Sequence, residues 1–120
     1  MGVAIFSGLC ILFDIITGII KAIYNGDLNS TALRKGMLHK LSEIVTLAGA
    51  WLVQQFIVAG VVSFTLDVFV PIALYISLME IVSVLENICC VNPSLAKVLK
   101  PYLTKLKDTE NNADERKNEK

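Results

Sequence analysis

The sequence has little charge outside its C-terminal end. Only 18% of its 120 residues are Asp, Glu, Lys or Arg, whereas a soluble domain of this size averages about one quarter. Twelve of the charged residues lie in the last 24 positions, 97–120, so the first 96 positions hold four basic and six acidic residues. The apolar runs between them are long enough to cross a bilayer. This pattern is typical of a small integral membrane protein.

Other scarcities narrow the possible functions. The formal net charge is zero, and the basic residues lie beside apolar segments, which argues against binding to nucleic acid. Three membrane passes leave no room for a soluble catalytic domain, so we expect no enzyme. The three cysteines show no C-x-x-C spacing, and the one histidine, His39, has no evident partner ligand. We therefore expect neither a metal site nor a cofactor.

Apolar runs predict three transmembrane helices, at about 3–24, 44–64 and 68–91. The first run is about 33 Å long as a helix, which matches a hydrocarbon core of about 30 Å. It ends at residues 25–27, a turn-forming Asn-Gly-Asp cluster. Asp67 is placed to cap the third helix, and Pro71 lies in the first turn of that helix, where proline is tolerated.

Two shorter segments, at about 30–43 and 95–106, have the pattern of amphipathic helices on the membrane surface. Available N-caps for the first are Asn29, Ser30 and Thr31. The second follows a predicted break at residues 92–94. Residues 108–120 contain no large apolar residue and are predicted to be a disordered charged tail. The predicted fold class is thus an all-α integral membrane protein, with a membrane domain at 1–107.

The distribution of Lys and Arg predicts the orientation of the chain. The first connection carries Arg34, Lys35 and Lys40, and the C-terminal segment carries seven basic residues. The N-terminus and the second connection carry none. Because basic connections stay in the cytoplasm, the N-terminus is predicted outside and the C-terminus in the cytoplasm.

Polar residues recur inside the apolar spans at helical spacing. In the first span they form one stripe on a single helix face, made of Ser7, Cys10, Asp14, Thr17, Gly18, Lys21 and Asn25. The third span has a weaker stripe, made of Ser77, Glu80, Ser83 and Asn87. An ionised carboxylate that faces lipid at mid-depth costs roughly 2.5 to 3.5 kcal/mol. Asp14 and Glu80 should therefore not face lipid.

Two interpretations of the polar stripes are open. In the first, Asp14, Glu80 and Lys21 satisfy one another inside a single three-helix bundle. In the second, which we favour, three thin helices cannot bury both stripes, so the polar residues meet other copies of the chain or water. The candidates for this oligomerisation or pore face are Asp14, Thr17, Gly18, Lys21, Glu80 and Asn87.

The same residues carry a family resemblance. The string from Asp14 to Ala22, D-x-x-T-G-x-x-K-A, precedes Asn29-Ser30, Gly36, Lys40, Glu86-Asn87 and Pro93. This series resembles the phage lysis and toxin-secretion holin family of Gram-positive systems. The resemblance extends to about Leu106, and its most specific element is the D-x-x-T-G-x-x-K-A string.

The resemblance implies a protein of the bacterial cytoplasmic membrane that forms homo-oligomeric lesions in the bilayer. Such lesions depolarise the membrane and release a peptidoglycan hydrolase or an exported toxin, with which the protein forms no stable complex. The family fixes no catalytic residues. A holin antagonist would share the same spans, and a small transporter or channel subunit would also need polar residues at mid-depth, so both alternatives stay open.

Overall fold

The computed structural model describes residues 1–26 and 28–119, apart from the side chain of Ser30. Within these residues the fold is all-helical, with α1 (Gly2–Tyr24), α2 (Ser30–Val58), α3 (Phe69–Val91) and α4 (Pro93–Asn118). Three segments have the length and composition to cross a membrane: Gly2–Tyr24, Thr31–Val58 and Phe69–Val91. The prediction of an all-α protein with three transmembrane helices is confirmed.

Helices α1 and α3 lie where hydropathy predicts them. α1 is followed by Gly26, whose φ of +67° belongs to the left-handed region that favours glycine and stops a helix. Asp27, also part of the predicted turn, lies outside the described residues. At the start of α3, Asp67 Oδ1 accepts the Val70 N–H at 3.2 Å, as its predicted capping role requires. Pro71 lies in the first turn of α3.

Helix α2 differs from the prediction. The predicted surface helix at 30–43 and the first part of the second span at 44–64 form one continuous helix, because no proline lies between Ser30 and Val58. Asn29 is its N-cap and accepts the Thr31 N–H at 3.0 Å. The helix ends at Val58, before the predicted end at residue 64, because Gly60 adopts a φ of +73°.

Helix α4 is longer than predicted. The predicted break is found at Asn92 alone, whose Oδ1 accepts the N–H groups of Ser94 at 3.1 Å and Leu95 at 3.3 Å. α4 therefore begins at Pro93, two residues before the predicted start. The helix then continues to Asn118, so the predicted disorder at 108–120 is not confirmed; Lys120 lies outside the described residues. None of the described α4 residues is buried. Ala113 and Glu115 have high helix propensity, and the basic residues Arg116 and Lys117 in the last turn favour the end of a helix here.

The chain divides into two compact units, and each takes part of α1 and part of α3. Unit 1 comprises Met1–Ile11 and Leu28–Ser77, and unit 2 comprises Leu12–Asp27 and Leu78–Lys120. Few apolar side chains are buried in either unit, namely Cys10, Ile11, Ala50, Ile57, Ala73, Ile76 and Val82. Many more large apolar side chains are exposed, which is unusual for a soluble monomer and suits a protein surrounded by lipid.

Candidate functional site

The buried face of α1 is polar. Ser7, Cys10 and Asp14 are buried, and Thr17, Gly18 and Lys21 are half-buried. The apolar residues around them, such as Leu9, Leu12 and Phe13, are exposed. This is the reverse of an amphipathic helix in a soluble protein, which buries its apolar face. Apart from Asn25, which is exposed, the polar stripe of α1 therefore faces inward.

In unit 1, two serines join α1 to α3 and form the serine cluster: Ser7, Ser77 and the Ala73 carbonyl. The two hydroxyl oxygens lie 2.8 Å apart, and the Ala73 oxygen is 3.1 Å from Ser7 Oγ and 2.7 Å from Ser77 Oγ. Each hydroxyl has one proton, so two of these three bonds form at once. Ser7 and Ala73 are fully buried, and such small residues let helix backbones approach closely.

In unit 2, the side-chain amide of Asn87 joins α3 to α1. Asn87 and the residues around its amide, Asp14, Thr17 and Gly18, are named the Asp14 cluster. Asn87 Nδ2 donates to Asp14 Oδ1 and to Thr17 Oγ1, both at 3.2 Å. These bonds use both amide protons. The Thr17 hydroxyl in turn donates to the Phe13 carbonyl at 2.9 Å.

Gly18 lies beside this amide. A Cβ built on Gly18 would lie 3.8 Å from Asn87 Nδ2, an ordinary contact distance. A larger side chain at position 18 would therefore meet the amide that bonds Asp14.

The six candidate residues are not all brought together. The structure joins Asp14, Thr17, Gly18 and Asn87, whereas Glu80 is buried at 2% exposure in α3, seven residues before Asn87 and on the same helix face. Lys21 is half-buried near the end of α1. The oligomerisation or pore role of these six residues stays a prediction.

One premise of the favoured interpretation is wrong for a single chain. It assumed that three helices cannot bury both stripes, yet the two clusters bury polar members of each, and Glu80 is buried as well. The physical reason is the small size of Gly18 and Ala73, which admits close packing at these positions. The first interpretation expected Asp14, Glu80 and Lys21 to satisfy one another. In the structure, Asp14 accepts a hydrogen bond from Asn87, which that interpretation did not include.

A charged cluster on α2 was missed by sequence reasoning. Glu43 is buried at 8% exposure; its Oε1 lies 3.1 Å from His39 Nε2, and its Oε2 lies 3.3 Å from Lys40 Nζ. The signal was present, because residues three and four positions apart are neighbours on a helix.

Gln54 was also missed as a functional residue. Its Oε1 accepts the N–H groups of Val68 at 2.8 Å and Phe69 at 3.3 Å, and so caps α3 from within α2. This role depends on a contact between residues 14 and 15 positions apart, which hydropathy does not indicate.

An ion pair joins α4 to the end of α3 in unit 2. Lys107 contacts Glu86, and its hydrogen bond to this carboxylate, with the attraction of the negative charge, raises the pKa of Lys107. Both side chains are about half exposed, so the pair positions α4 more than it stabilises the fold.

The described residues contain no group of three His, Cys, Asp or Glu side chains that could hold a metal ion.

Comparison with known proteins gives one match. A family model described as the bacteriophage holin family matches residues 2–108. No curated protein and no solved structure matches the chain. The matched region includes both polar clusters, Glu80, Lys21 and the first part of α4.

Proposed function

The chain belongs to the bacteriophage holin family, and from this we propose that it is a holin that sets the time of host-cell lysis. The family is one of membrane pore-forming, non-enzymatic proteins. In the proposal, the protein accumulates in the bacterial cytoplasmic membrane, homo-oligomerises and forms lesions that depolarise the membrane. A peptidoglycan hydrolase or an exported toxin leaves through these lesions.

The observation that carries this proposal is the inward-facing polar side of α1. Asp14 is 7% exposed while Leu12 and Phe13 beside it are 50% and 56% exposed. A dispersed chain with this arrangement presents apolar side chains to lipid and keeps a carboxylate away from it, which avoids a cost of roughly 2.5 to 3.5 kcal/mol. The stored polar face is then available for assembly.

We propose that, on assembly, the hydrogen bonds within the serine cluster and the Asp14 cluster are replaced by contacts between copies or with water. Hydrogen bonds between membrane helices average about 0.6 kcal/mol and reach about 1.7 kcal/mol, so each cluster is weak enough to open. Thr17 and Asn87 also line a small surface groove with a volume of about 100 Å³. Two members of the Asp14 cluster thus lie beside this groove.

The proposed topology has the N-terminus outside and the C-terminus in the cytoplasm. It is supported by Arg34, Lys35 and Lys40 near the start of α2 and by the seven basic residues from position 97 onward, all on connections that three passes place on one side. Accessibility labelling of tags at Met1 and Lys120 in intact cells tests it. Equal accessibility of both tags would contradict three passes in the resting state.

Inducible expression in a bacterium, with membrane potential and culture density followed over time, tests the holin proposal. We expect a period of normal growth, then sudden depolarisation, and rapid lysis when a peptidoglycan hydrolase is present in the cytoplasm. Steady growth with normal membrane abundance would contradict the proposal and favour a holin antagonist. Substrate-dependent currents without lysis would favour a transporter or channel subunit.

A further inference from the structure

We propose that the connection between α2 and α3, residues 59–68, is seated in the bilayer and contacts lipid at the boundary between headgroups and acyl chains. This connection is named the α2–α3 loop below. The inference requires only that the chain inserts in a membrane, and it does not depend on lysis. Three observations in unit 1 carry it.

The first observation is the length of α2, the helix that precedes the loop. Its uncharged part, residues 44–58, contains about 15 residues and is about 22 Å long. A hydrocarbon core is about 30 Å thick. With Glu43 at the headgroup level, α2 therefore ends below the opposite boundary, and the loop occupies the remaining depth.

The second observation is the composition of the loop. Residues 59–66 carry no charge, and the side chains of Val61, Phe64 and Leu66 are 70%, 54% and 59% exposed. Exposed apolar residues so close together are unusual in a loop that faces water. Asp67 is the single charged residue of the loop, and its Oδ1 accepts the Val70 N–H.

The third observation is that the helix ends beside the loop are capped from within the chain. The N–H groups of Gly60 and Val61 each donate at 3.1 Å to carbonyls in the last turn of α2, the arrangement of a Schellman cap. At the other end, Gln54 and Asp67 accept the N–H groups of residues 68–70. Capping by protein groups is needed where water is scarce, because unsatisfied backbone groups are costly in hydrocarbon.

These observations favour lipid as the occupant over a second copy of the chain. A contact between copies would cover the apolar side chains, but it would not account for the shortfall in length of the uncharged part of α2. Insertion of the loop accounts for both the length and the exposed side chains.

Depth-dependent fluorescence quenching tests the inference. The full-length chain, with Cys10, Cys89 and Cys90 replaced by alanine, receives one cysteine at a time, as Phe64→Cys or Val61→Cys. Each cysteine carries an environment-sensitive fluorophore, and the protein is reconstituted in phosphatidylcholine and phosphatidylglycerol vesicles. The lipids carry a spin-label quencher at the headgroup, high on the acyl chain or near its end. Leu12→Cys, on the exposed face of α1, and Asn112→Cys, on exposed α4, provide the membrane and water references.

We expect both loop labels to emit at shorter wavelength than the Asn112 label and to lose most intensity to the quencher high on the acyl chain. The Leu12 label should respond most to the deep quencher. Loop labels that match Asn112 and are quenched by aqueous iodide would overturn the inference and leave the holin proposal standing. Loop labels protected from the lipid quenchers and from iodide would also overturn the inference, since a second copy would then cover the loop. If Leu12 also behaves as an aqueous site, the membrane account itself fails.

Discussion

Replacing Asn87 by leucine should advance lysis, whereas replacing Asp14 by leucine should delay or abolish it. Asn87→Leu removes the donor that holds the Asp14 cluster within one chain. Asp14 and Thr17 then keep their polar groups, which become available to other copies. Asp14→Leu instead removes the carboxylate from the cluster and from any contact between copies. The two substitutions break the same hydrogen bond within the chain. Opposite changes in lysis time would therefore show that Asp14 forms a new contact on assembly.

The magnitude follows from the two bonds that Asn87 donates, each 3.2 Å long. At about 0.6 kcal/mol each, their loss destabilises the closed chain by about 1.2 kcal/mol, and at about 1.7 kcal/mol each, by about 3.4 kcal/mol. Since about 1.4 kcal/mol corresponds to a tenfold change, the open population increases by a factor of between about seven and a few hundred. Oligomers then nucleate at lower membrane abundance.

The assay is the time between induction and the fall in culture density, compared at equal membrane abundance measured by immunoblot. Leu12→Ala is the matched control, because this side chain is 50% exposed in the same helix; it should leave the time unchanged. Asp14→Asn keeps the hydrogen-bonding groups and removes the charge. A lysis time between those of the wild type and Asp14→Leu would show that contact geometry determines the effect of Asp14. A lysis time equal to that of Asp14→Leu would show that the charge determines it. Delayed lysis in Asn87→Leu, or wild-type timing in Asp14→Leu, would refute the reasoning.

Further expected outcomes concern positions outside this pair. Gly18→Ala should keep wild-type timing because its Cβ fits 3.8 Å from the Asn87 amide, whereas Gly18→Leu should displace that amide and advance lysis; equal timing of the two variants would contradict this. Gln54→Leu should lower the free energy of unfolding of the purified protein in detergent by about 1–3 kcal/mol, because the N–H groups at the start of α3 lose their acceptor. Thermal unfolding followed by circular dichroism measures this change, and an unchanged melting curve would count against the cap. Deleting residues 108–120 should leave insertion and lysis intact because no described α4 residue is buried, while deletion from residue 95 onward also removes Lys107 and should alter timing or topology; loss of lysis on the shorter deletion would show a specific partner for the tail.

Hydropathy and turn chemistry predicted α1 and α3 closely because both helices end at local signals. Gly26 with its left-handed φ follows α1, and the Asn92 cap follows α3. The end of α2 at Val58 was not predicted, because the α2–α3 loop is itself apolar and extends the hydropathic run past the helix. The helical tail was not predicted either, because composition indicates only that a segment cannot pack, and it does not indicate whether the segment continues a helix that begins before it.

Helical spacing predicted the buried polar face of α1 but not the partners of its residues. Polar residues three or four positions apart must share a face, and the cost of a charge in lipid indicates that this face turns inward. Asn87, one partner of Asp14, lies 73 positions away, and this pairing depends on the register between two helices. The sequence pointed instead to Lys21 and Glu80 because both are ionisable residues within the spans, whereas an amide donor gives no charge signal in a sequence.

The proposed assembly requires the contacts between α1 and α3 of one chain to open, and a reversible crosslink tests this opening most directly. Ser7 Oγ and Ser77 Oγ lie 2.8 Å apart, so Ser7→Cys with Ser77→Cys places two thiols within reach of a disulfide. The native cysteines are replaced by alanine, and each single substitution serves as a control. After oxidation, the crosslinked chain should insert normally but fail to depolarise or lyse cells, and dithiothreitol should restore lysis. Lysis on the wild-type schedule by fully crosslinked protein would contradict the account.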